Sequence, residues 1–329
     1  MATFVPVIHA SRADRPDEAD TLVAAAAVRD ALVQLGHASE IVALDLDFTP
    51  LERLARRQPQ AVFNLVEAVR GDATLAPMAP AVLEHLGLPC TGSGLLAQLR
   101  TMSKLLTKQA MTAHGLPTAP WWTAPEAVPA GERVIVKSVW EHASYGMDAA
   151  SVVAGRAAAG EISSRQARFG GEFFAERFLE GREFNVAILE GEHGPEVLPI
   201  QEIVFEIPAD QRPQIVDYEA KWTETSPAYH GTPRRFGLEA REPQLAGHLA
   251  QLGLACWQEF GLAGYARVDL RTDATGQPFV LEVNTNPCLT PDAGFAATAA
   301  EAGLSYTAII ARILAAAGCR TRTEAPCCA

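Results

Sequence analysis

Four residues of one short segment have the types and the spacing of a metal site. Residues 265–284 have the sequence YARVDLRTDATGQPFVLEVN, in which two alternating runs flank TDATGQ, a loop typical of a β-hairpin. Because strand side chains alternate between faces, Arg267 and Asp269 share one face of the first strand. By the same rule Glu282 and Asn284 share one face of the second strand. If the strands pair, one surface gathers all four side chains.

These side chains are suited to a cation and a bound oxyanion. Carboxylate and amide oxygens are the hard ligands that Mg²⁺ accepts when phosphate oxygens and waters complete its octahedron. A nearby guanidinium could hold a carboxylate or a developing oxyanion. The hairpin therefore predicts a metal site at Asp269, Glu282 and Asn284, provided that a nucleotide site lies elsewhere in the chain. An amphipathic hairpin with solvated polar residues is the alternative that this segment alone leaves open.

A strand that ends in a lysine offers phosphate chemistry. Lys137 ends the aliphatic run VIVK, and Gly146 lies in the small-residue loop EHASYGM at 141–147. A lysine beside a loop that presents backbone N–H groups is suited to phosphate oxygens. The Walker A pattern GxxxxGK[ST] is absent from the sequence. The strand and its loop therefore predict a phosphate site of another kind.

Three further lysines and one acidic turn are weaker signals. Lys104 and Lys108 stand four apart on one helical face, a spacing that by itself is typical of a solvated stripe. Lys221 is a lone lysine in the polar segment DYEAKW, where a solvated role is common. In AERFLEGRE, at 175–183, a chain leaving a strand could offer backbone groups to an adenine edge. There Glu183 could accept the ribose hydroxyls.

The elements that must position these residues follow from periodicity and turn residues. Strands alternate with helices in the first ninety residues, which predicts a small parallel α/β domain that closes near 89–94. Its predicted strands are 4–10, 40–47 and 61–67, and its predicted helices are 19–35 and 77–88. Further predicted elements are a helix from Ser103, a Pro-rich connector at 116–131, strands at 134–140, 173–181 and 182–191, and a helix at 244–260. The long polar stretch at about 212–235 is expected to be an ordered loop or a flexible lid.

Composition excludes several classes of function. The 329 residues, 48% hydrophobic and 20% charged, favour two or three subdomains with large cores. A net charge of −12 argues against a broad nucleic-acid or anionic-membrane surface, although a local basic pocket for a phosphorylated small molecule is allowed. The N-terminus lacks the pattern of a signal peptide, and no apolar run reaches the roughly 18 residues of a membrane span. We therefore expect a cytoplasmic protein with no nucleic-acid or membrane partner.

The six cysteines do not form a recognisable framework. Cys90, Cys256 and Cys288 are scattered, whereas Cys319, Cys327 and Cys328 crowd the C-terminal end. The tail CRTRTEAPCCA lacks a second pair at the spacing of a zinc site. Reduced thiols without a metal or disulfide role are the expectation.

Taken in order, these pieces resemble the ATP-grasp superfamily and, within it, the D-alanine–D-alanine ligase family. The likeness runs from the first predicted strand to the predicted helix at 302–314. The matching segments are TGS (91–93), MSKLLTK (102–108), VIVKSVWEHASYGM (134–147), ERFLEGREFNV (176–186), LPIQEI (198–203), DYEAKW (217–222), GYARVDL (264–270) and LEVNTNPCLT (281–290).

The resemblance implies a fold and a set of cofactors. The fold is α/β plus α+β, an ATP-grasp fold in which an N-terminal parallel α/β domain precedes two halves that clasp ATP. We expect an N-terminal domain, a central subdomain, a metal-binding subdomain and a flexible cysteine-containing tail, at 1–95, 96–175, 176–318 and 319–329. The implied cofactors are ATP and a pair of Mg²⁺ ions, with Mn²⁺ as an alternative. Family likeness also suggests a homodimer.

Residue roles carry over position by position. Lys104 and Lys137 would contact the ATP phosphates beneath a loop that contains Ser144 and Gly146, and Lys221 would reach the terminal phosphates. Glu176 and Leu179 would lie at the adenine, and Glu183 would lie at the ribose. The Mg²⁺ ligands would be Asp269, Glu282 and Asn284. Arg267 would stabilise the tetrahedral state of the reacting carboxylate.

The departures from the family pattern fall on the amino-acid subsites. Ala143 stands where these ligases have the first serine of Gly-Ser-Ser, and Trp222 stands where they have a tyrosine. The glutamate that anchors the first amino acid has no clear match, although Glu18 or Asp20 could replace it. The family's Pro-Gly and Ser-Leu pairs are replaced by Pro287-Cys288 and Ala293-Gly294.

We therefore predict an ADP-forming carboxylate–amine ligase that acts on small molecules through an acylphosphate, with a substrate pair other than two D-alanines. The losses among substrate contacts, set against the retained nucleotide and metal positions, are the reason for that prediction. The alternatives are a true D-alanine–D-alanine ligase, a small-molecule kinase on the same fold, and a nucleotide-binding protein without catalysis. The sequence does not reveal the carboxylate or the amine.

Overall fold

Three β-sheets form the framework of the protein in the computed structural model, which describes residues 3–10 and 16–320. The first sheet is parallel and the other two are antiparallel. Helices cover their faces. The tail prediction and the thiols of Cys319, Cys327 and Cys328 lie outside the described residues and side chains.

The parallel sheet lies near the N-terminus and has the strand order β2-β1-β3. Its elements are β1 (Val7–Ala10), α1 (Pro16–Gln34), β2 (Ile41–Leu44), α2 (Thr49–Arg56), β3 (Phe63–Asn64) and α3 (Met78–His85). The aliphatic strand residues are buried against the helices, as in any α/β unit. The predicted parallel α/β architecture is confirmed, although α2 was not predicted and the strands are shorter than expected.

Two helices precede the second sheet, α4 (Leu95–Met102) and α5 (Lys104–Ala113). Ser103 separates them in an extended conformation, and its hydroxyl caps α5 by accepting from the amide of Leu106. The amide of Lys104 donates to the carbonyl of Val139 at 2.9 Å, which ties the start of α5 to the end of a strand in the second sheet. The predicted helix from Ser103 is confirmed, and α4 was not predicted.

The second sheet has four strands in the order β4-β7-β5-β6. Its elements are β4 (Trp121–Trp122), β5 (Arg133–Ser138), β6 (Val152–Ala154), α6 (Ala158–Phe169) and β7 (Phe173–Arg177). Apolar side chains of the strands and α6 form one small core.

The third sheet has six strands, in the order β11-β10-β8-β12-β13 with β9 paired to β8. Its strands are β8 (Glu183–Gly191), β9 (Gly194–Val197), β10 (Gln201–Ile203), β11 (Arg234–Arg235), β12 (Tyr265–Thr272) and β13 (Pro278–Asn284). The helices around it are α7 (Tyr218–Trp222), α8 (Pro227–His230), α9 (Leu238–Arg241), α10 (Pro243–Phe260), α11 (Gly294–Glu301) and α12 (Tyr306–Arg320). The predicted strands at 173–181 and 182–191 thus belong to different sheets.

The long polar stretch is ordered. It contains α7, α8 and β11, and the hydroxyl of Ser226 caps α8 by accepting from the amide of Tyr229. Arg235 on β11, at the end of the stretch, and Arg241 on α9, just beyond it, pair with buried Glu202 on β10 and so hold this end of the stretch on the third sheet.

The cores do not follow the chain order. Ala97 of α4 and Met111 of α5 are buried with residues of the third sheet, although the second sheet comes next in the sequence. The N-terminal sheet likewise shares a core with α12, with Ala187 and Leu189 of β8 and with Tyr265 of β12. The domain boundaries remain a prediction.

No described helix by itself has both the length and the hydropathy of a membrane span. Among the described residues, α11 taken together with residues 306–318 has both, but the pair is bent by 103°.

Candidate active site

One cavity of about 880 Å³ opens between the second and third sheets. Of the residues predicted to contact ATP, metal ions or the tetrahedral state, all but Gly146 line it. They are Lys104, Lys137, Ser144, Glu176, Leu179, Glu183, Lys221, Arg267, Asp269, Glu282 and Asn284. Segments that are far apart in the sequence therefore contribute to a single site.

The register of β12 and β13 explains why the acidic residues meet. Asp269 pairs with Glu282, and Arg267 pairs with Asn284, so the four side chains occupy adjacent positions on one face. A β-bulge follows Asp269, after which Leu270 pairs with Val280. The gathering of these four residues, predicted from alternation alone, is confirmed.

A row of polar side chains crosses the third sheet toward this group. The guanidinium of Arg267 donates to both carboxylate oxygens of Asp269, at 2.6 and 2.8 Å. Asn185 of β8 donates to Asp269 Oδ1 at 2.7 Å, and Gln201 of β10 donates to Asn185 Oδ1 at 2.9 Å. Gln201 lies directly opposite Asn185 and Asn185 directly opposite Asp269 in the strand register, whereas Arg267 is two residues before Asp269 on the same strand. The row fixes the orientation of the Asp269 carboxylate.

Glu282 lies beside a lysine and a histidine. Its Oε2 lies 3.8 Å from Lys104 Nζ and 3.9 Å from His142 Nδ1. Burial works to raise the pKa of Glu282, but Lys104 and the neighbouring positive groups draw it well below its usual range. Burial lowers the pKa of Lys104, against the pull of Glu282, and burial together with Lys104 lowers the pKa of His142 to about 4. Glu282 is thus ionised and His142 is neutral near pH 7.

A second charged group lies between α5 and the second sheet. Glu176 of β7 pairs with Lys137 through one oxygen and with Lys108 at 2.6 Å through the other. Lys108 also donates to Thr118 Oγ1 at 2.9 Å. Burial alone would raise the pKa of Glu176, but the two lysines outweigh it and the pKa falls to about 2.

This group corrects one interpretation of the sequence. The interpretation of Lys104 and Lys108 as a solvated stripe is wrong, because they are only 8% and 1% exposed. Helical spacing placed Lys104 and Lys108 on a common face but did not predict that this face packs against two sheets.

At the other end of the cavity an arginine joins two predicted nucleoside contacts. Arg271 lies opposite Glu183 in the register of β12 and β8 and pairs with its Oε2 at 2.9 Å. The Nε of Arg271 donates to the carbonyl oxygen of Leu179 at 2.6 Å. Burial raises the pKa of Glu183, and Arg271 opposes that effect.

The small-residue loop at 141–147 is tied to α7 and the segment before it. Ala143 and Ser144 have φ angles of 56° and 63°, left-handed values uncommon for residues other than glycine. The hydroxyl of Ser144 donates to the carbonyl of Val216 at 2.7 Å, and the indole Nε1 of Trp222 donates to the carbonyl of Ala143 at 3.0 Å. These contacts hold the loop against the cavity.

Gly146 belongs to the same loop but does not line the cavity. Its φ is 71°, and a Cβ there would approach the Phe173 ring to 3.2 Å, so the position favours glycine on both counts. Its carbonyl accepts from Arg165 of α6. Arg165 also pairs with Asp148 at 2.6 Å, and the two contacts anchor the end of the loop to α6.

The residues that depart from the family pattern lie in the same cavity. Ala143, Trp222, Cys288, Ala293 and Gly294 all line it. Of the two candidate anchors, Asp20 lines this cavity, whereas Glu18 lines a smaller neighbouring one of about 70 Å³.

Cys288 contacts one of these candidate anchors. Its thiol donates to Asp20 Oδ2 at 2.8 Å. Burial and Asp20 raise the pKa of Cys288 well above its usual range, so the group is a thiol rather than a thiolate. Among the described residues Cys90, Cys256 and Cys288 are free cysteines.

Sequence reasoning missed four polar residues of this site, His142, Asn185, Gln201 and Arg271. Alternation could have found two of them. Asn185 shares a face with Glu183, and Arg271 shares a face with Asp269. The loop position of His142 and the distant pairing of Gln201 have no comparable local signal.

The donor set fits a divalent cation bound together with phosphate. Two carboxylates and an amide oxygen come from adjacent strand positions, and Mg²⁺ commonly takes only one or two protein carboxylates. Within the described ranges, no group of three or more histidine, cysteine or acidic side chains forms a metal site by itself. The remaining ligand positions would therefore fall to phosphate oxygens and water.

Comparisons with known proteins agree with this geometry. The family model described as D-ala D-ala ligase C-terminus matches residues 113–315. A D-alanine–D-alanine ligase of Synechococcus sp. (strain JA-3-3Ab) is 34% identical over 307 residues, 89% of this chain and 88% of that protein. One from Chromohalobacter salexigens is 38% identical over 245 residues, 70% of each chain. A crystal structure of D-alanine–D-alanine ligase from Bacillus anthracis complexed with ATP is similar in fold, with a TM-score of 0.75 and 20% identity over 98% of this chain and 99% of that one.

Proposed function

Because the chain belongs to the D-alanine–D-alanine ligase family, we propose that it is an ATP-dependent, ADP-forming ligase that joins a carboxylate to an amine through an acylphosphate. The observation that carries the proposal is the single cavity in which the acidic group of β12 and β13 faces three lysines and an arginine. A surface hairpin with solvated polar residues would not bury these groups together.

The nucleotide is proposed to lie across the second and third sheets. Lys104, Lys137 and Lys221 would neutralise phosphate oxygens, and the loop of Ser144 and Gly146 would cover them. Glu176 and Leu179 would contact the adenine and Glu183 the ribose. The ionised state of Glu176 and its two lysine partners support a fixed, charged wall on this side of the cavity.

A divalent cation, generally Mg²⁺ in this family, is proposed to bind Asp269, Glu282 and Asn284, and its bound charge would offset that of the phosphates. Two ions, with Mn²⁺ as a substitute, belong to the same proposal. The low pKa of Glu282 supports it, because a carboxylate must be ionised to ligate a cation.

The reaction needs positioning more than covalent catalysis. An oxygen of the carboxylate substrate attacks the γ-phosphorus, the bond to the β,γ-bridging oxygen breaks, and ADP leaves. The amine then attacks the acyl carbon, and the C–O bond breaks to release phosphate. Arg267 would hold the oxyanion of the tetrahedral state, and the loop held by Trp222 would exclude water from the acylphosphate.

We propose that the substrate pair differs from two D-alanines. Ala143 lacks the hydroxyl of the family serine, and Cys288 adds a thiol that donates to Asp20 at the substrate end. Lost or altered polar contacts change discrimination strongly. The second candidate is a true D-alanine–D-alanine ligase, which is favoured by identities of 34% and 38% to proteins of that name.

A homodimer in the cytoplasm is also part of the proposal, on family likeness alone. Light scattering on the purified chain tests the dimer directly. A monomer at micromolar concentration would contradict it.

The function is tested by ADP release over carboxylic acids crossed with amines, with products identified by mass spectrometry. We expect ADP only when both substrates are present, together with a product that has lost one water relative to their sum. Glu282→Gln should abolish release. A stable phosphorylated product without an amine would favour a kinase, and no ADP with any pair would favour a binding protein. Robust D-alanyl-D-alanine formation at ordinary substrate levels would overturn the altered substrate pair only.

A further inference from the structure

Arg271 lines the cavity near the residues proposed for the nucleoside, and one of its guanidinium nitrogens has no hydrogen-bond partner among the described residues. Its Nε and Nη1 are taken by Leu179 and Glu183, at 2.6 and 2.9 Å. Its Nη2 is fully buried and has no hydrogen-bond partner in the part of the chain that the structure describes. The whole residue is only 3% exposed.

An unpaired guanidinium nitrogen in such a place is costly. Nearly all buried polar groups in proteins have a partner, and a buried donor left without one loses its hydration with nothing in return. The rings of Phe178 and Phe205 lie 5.0 and 5.3 Å from the guanidinium carbon and favour its charge. They do not supply an acceptor oxygen or nitrogen to Nη2.

We propose that Arg271 is a nucleotide-specificity residue whose Nη2 donates a hydrogen bond to an acceptor atom of the bound nucleoside. Its other two nitrogens hold Leu179 and Glu183, the residues proposed for the adenine and the ribose. One guanidinium thus ties both nucleoside contacts together and adds a third. The proposal rests on the proposed function, because the ligand is ATP.

The acceptor is a lone pair of the ribose or of the adenine. The ribose offers its 2′ and 3′ oxygens, and the adenine offers N1, N3 and N7. One nitrogen of Arg271 pairs with Glu183, whose carboxylate is proposed to bind the ribose hydroxyls. Loss of the arginine therefore also removes a partner that orients this carboxylate. Both effects fall on nucleotide affinity, and neither falls on the carboxylate or amine substrate.

The test is calorimetric binding to the full chain with Mg²⁺ and without carboxylate or amine, so that turnover does not enter. ATP is compared with its 2′-deoxy, 3′-deoxy, 1-deaza, 3-deaza and 7-deaza forms, each of which lacks one acceptor. The variants are Arg271→Met, which keeps length without donors, and Arg271→Lys, which keeps charge near Glu183. Arg312→Met is the control, since Arg312 pairs with Glu196 on the surface at 2.6 Å, away from the cavity.

We expect wild type to lose at least tenfold in affinity for one analogue. Arg271→Met should bind ATP at least tenfold more weakly and no longer distinguish that analogue from ATP, whereas Arg312→Met should match wild type. Binding of ATP by Arg271→Met within twofold of wild type overturns the inference, as does retained discrimination.

Should circular dichroism show that Arg271→Met is unfolded, Arg271→Lys decides the matter. A single ammonium cannot serve Leu179, Glu183 and the nucleoside together, so discrimination should fall at least threefold, and full retention overturns the inference. Wild type that binds no ATP contradicts the proposed function. Wild type that binds ATP with Arg271 making no difference contradicts this inference alone.

Discussion

The indole Nε1 of Trp222 donates a hydrogen bond to the backbone carbonyl of Ala143 at 3.0 Å. The contact joins α7 to the loop over the cavity, at two positions where the family pattern has a tyrosine and a serine. Because the acceptor is backbone, the contact does not depend on the side chain at position 143. Ala143 and Trp222 thus change the lining of the cavity while the loop stays bound to α7.

Trp222→Phe should loosen this loop without emptying the space beneath it. One neutral hydrogen bond contributes about 0.5–1.5 kcal/mol, so the closed loop loses about two- to tenfold in population. We expect ADP released per ligated product to rise by a similar factor, since water then reaches the acylphosphate. Trp140→Phe is the matched control, because its indole bond to Glu172, at 2.7 Å, lies outside the cavity lining. Unchanged coupling in Trp222→Phe would show that this bond does not close the loop.

Glu176→Gln should destabilise the fold, since it leaves Lys108 and Lys137 buried without their counter-charge. Breaking a buried pair costs on the order of 3–5 kcal/mol, which urea unfolding at pH 7 can measure. Glu180→Gln removes only the exposed pair with Arg133 and should cost about 1 kcal/mol or less. Equal effects of the two changes would contradict the buried pairing.

The contribution of Glu176 should also depend on pH. Its pKa falls from an ordinary 4.5 to about 2 in the folded protein, so folding favours the ionised form. The stability difference between wild type and Glu176→Gln should be full above about pH 4.5 and shrink as pH falls toward 2. Urea unfolding at intervals across that range checks the slope. A stability difference that stays constant across this pH range would mean that the two lysines do not lower the pKa of Glu176.

Asn185→Leu should weaken binding of the divalent cation, because it removes the hydrogen bond from Asn185 that orients the Asp269 carboxylate. Loss of such a supporting residue typically costs ten- to a hundredfold in metal affinity. We expect the Mg²⁺ concentration for half-maximal ADP release to rise about tenfold, and Mn²⁺ binding followed by electron paramagnetic resonance to weaken likewise. Gln201→Leu, which removes the bond to Asn185 and a long one from Thr298 at 3.5 Å but none to Asp269, should have a smaller effect. Identical Mg²⁺ dependence in all three proteins would remove Asn185 from the site.

The sequence predicted the hairpin of β12 and β13 because two local rules act there, the period of two within each strand and the short loop between the strands. The loop sets the register near the turn, where Leu270 pairs with Val280, and that register continued would place Asp269 opposite Leu281. The bulge after Asp269, which was not predicted, shifts the register by one residue and brings Asp269 opposite Glu282. The residues proposed for nucleotide and metal followed from motif order, since each motif carries its own local geometry.

Contacts between distant elements were not predictable in this way. Lys108 is buried because α5 packs against β13 and the lysine ammonium pairs with Glu176 of β7, and no residue near Lys108 in the chain predicts this. The pairing of Glu183 with Arg271 depends on the order of strands β8 and β12, which alternation within one strand does not set. Strand β3 is shorter than its apolar run, because burial extends beyond the residues that hydrogen-bond in the sheet.

The most direct test of the ligase chemistry follows an oxygen atom. A carboxylate substrate labelled with ¹⁸O in both oxygens is turned over with ATP and the amine, and the released phosphate is analysed by mass spectrometry. Because the carboxylate oxygen that attacks the γ-phosphorus stays with the phosphate when the amine breaks the C–O bond, we predict one ¹⁸O in each phosphate. Phosphate without label, formed while product accumulates, would contradict the acylphosphate and with it the central claim.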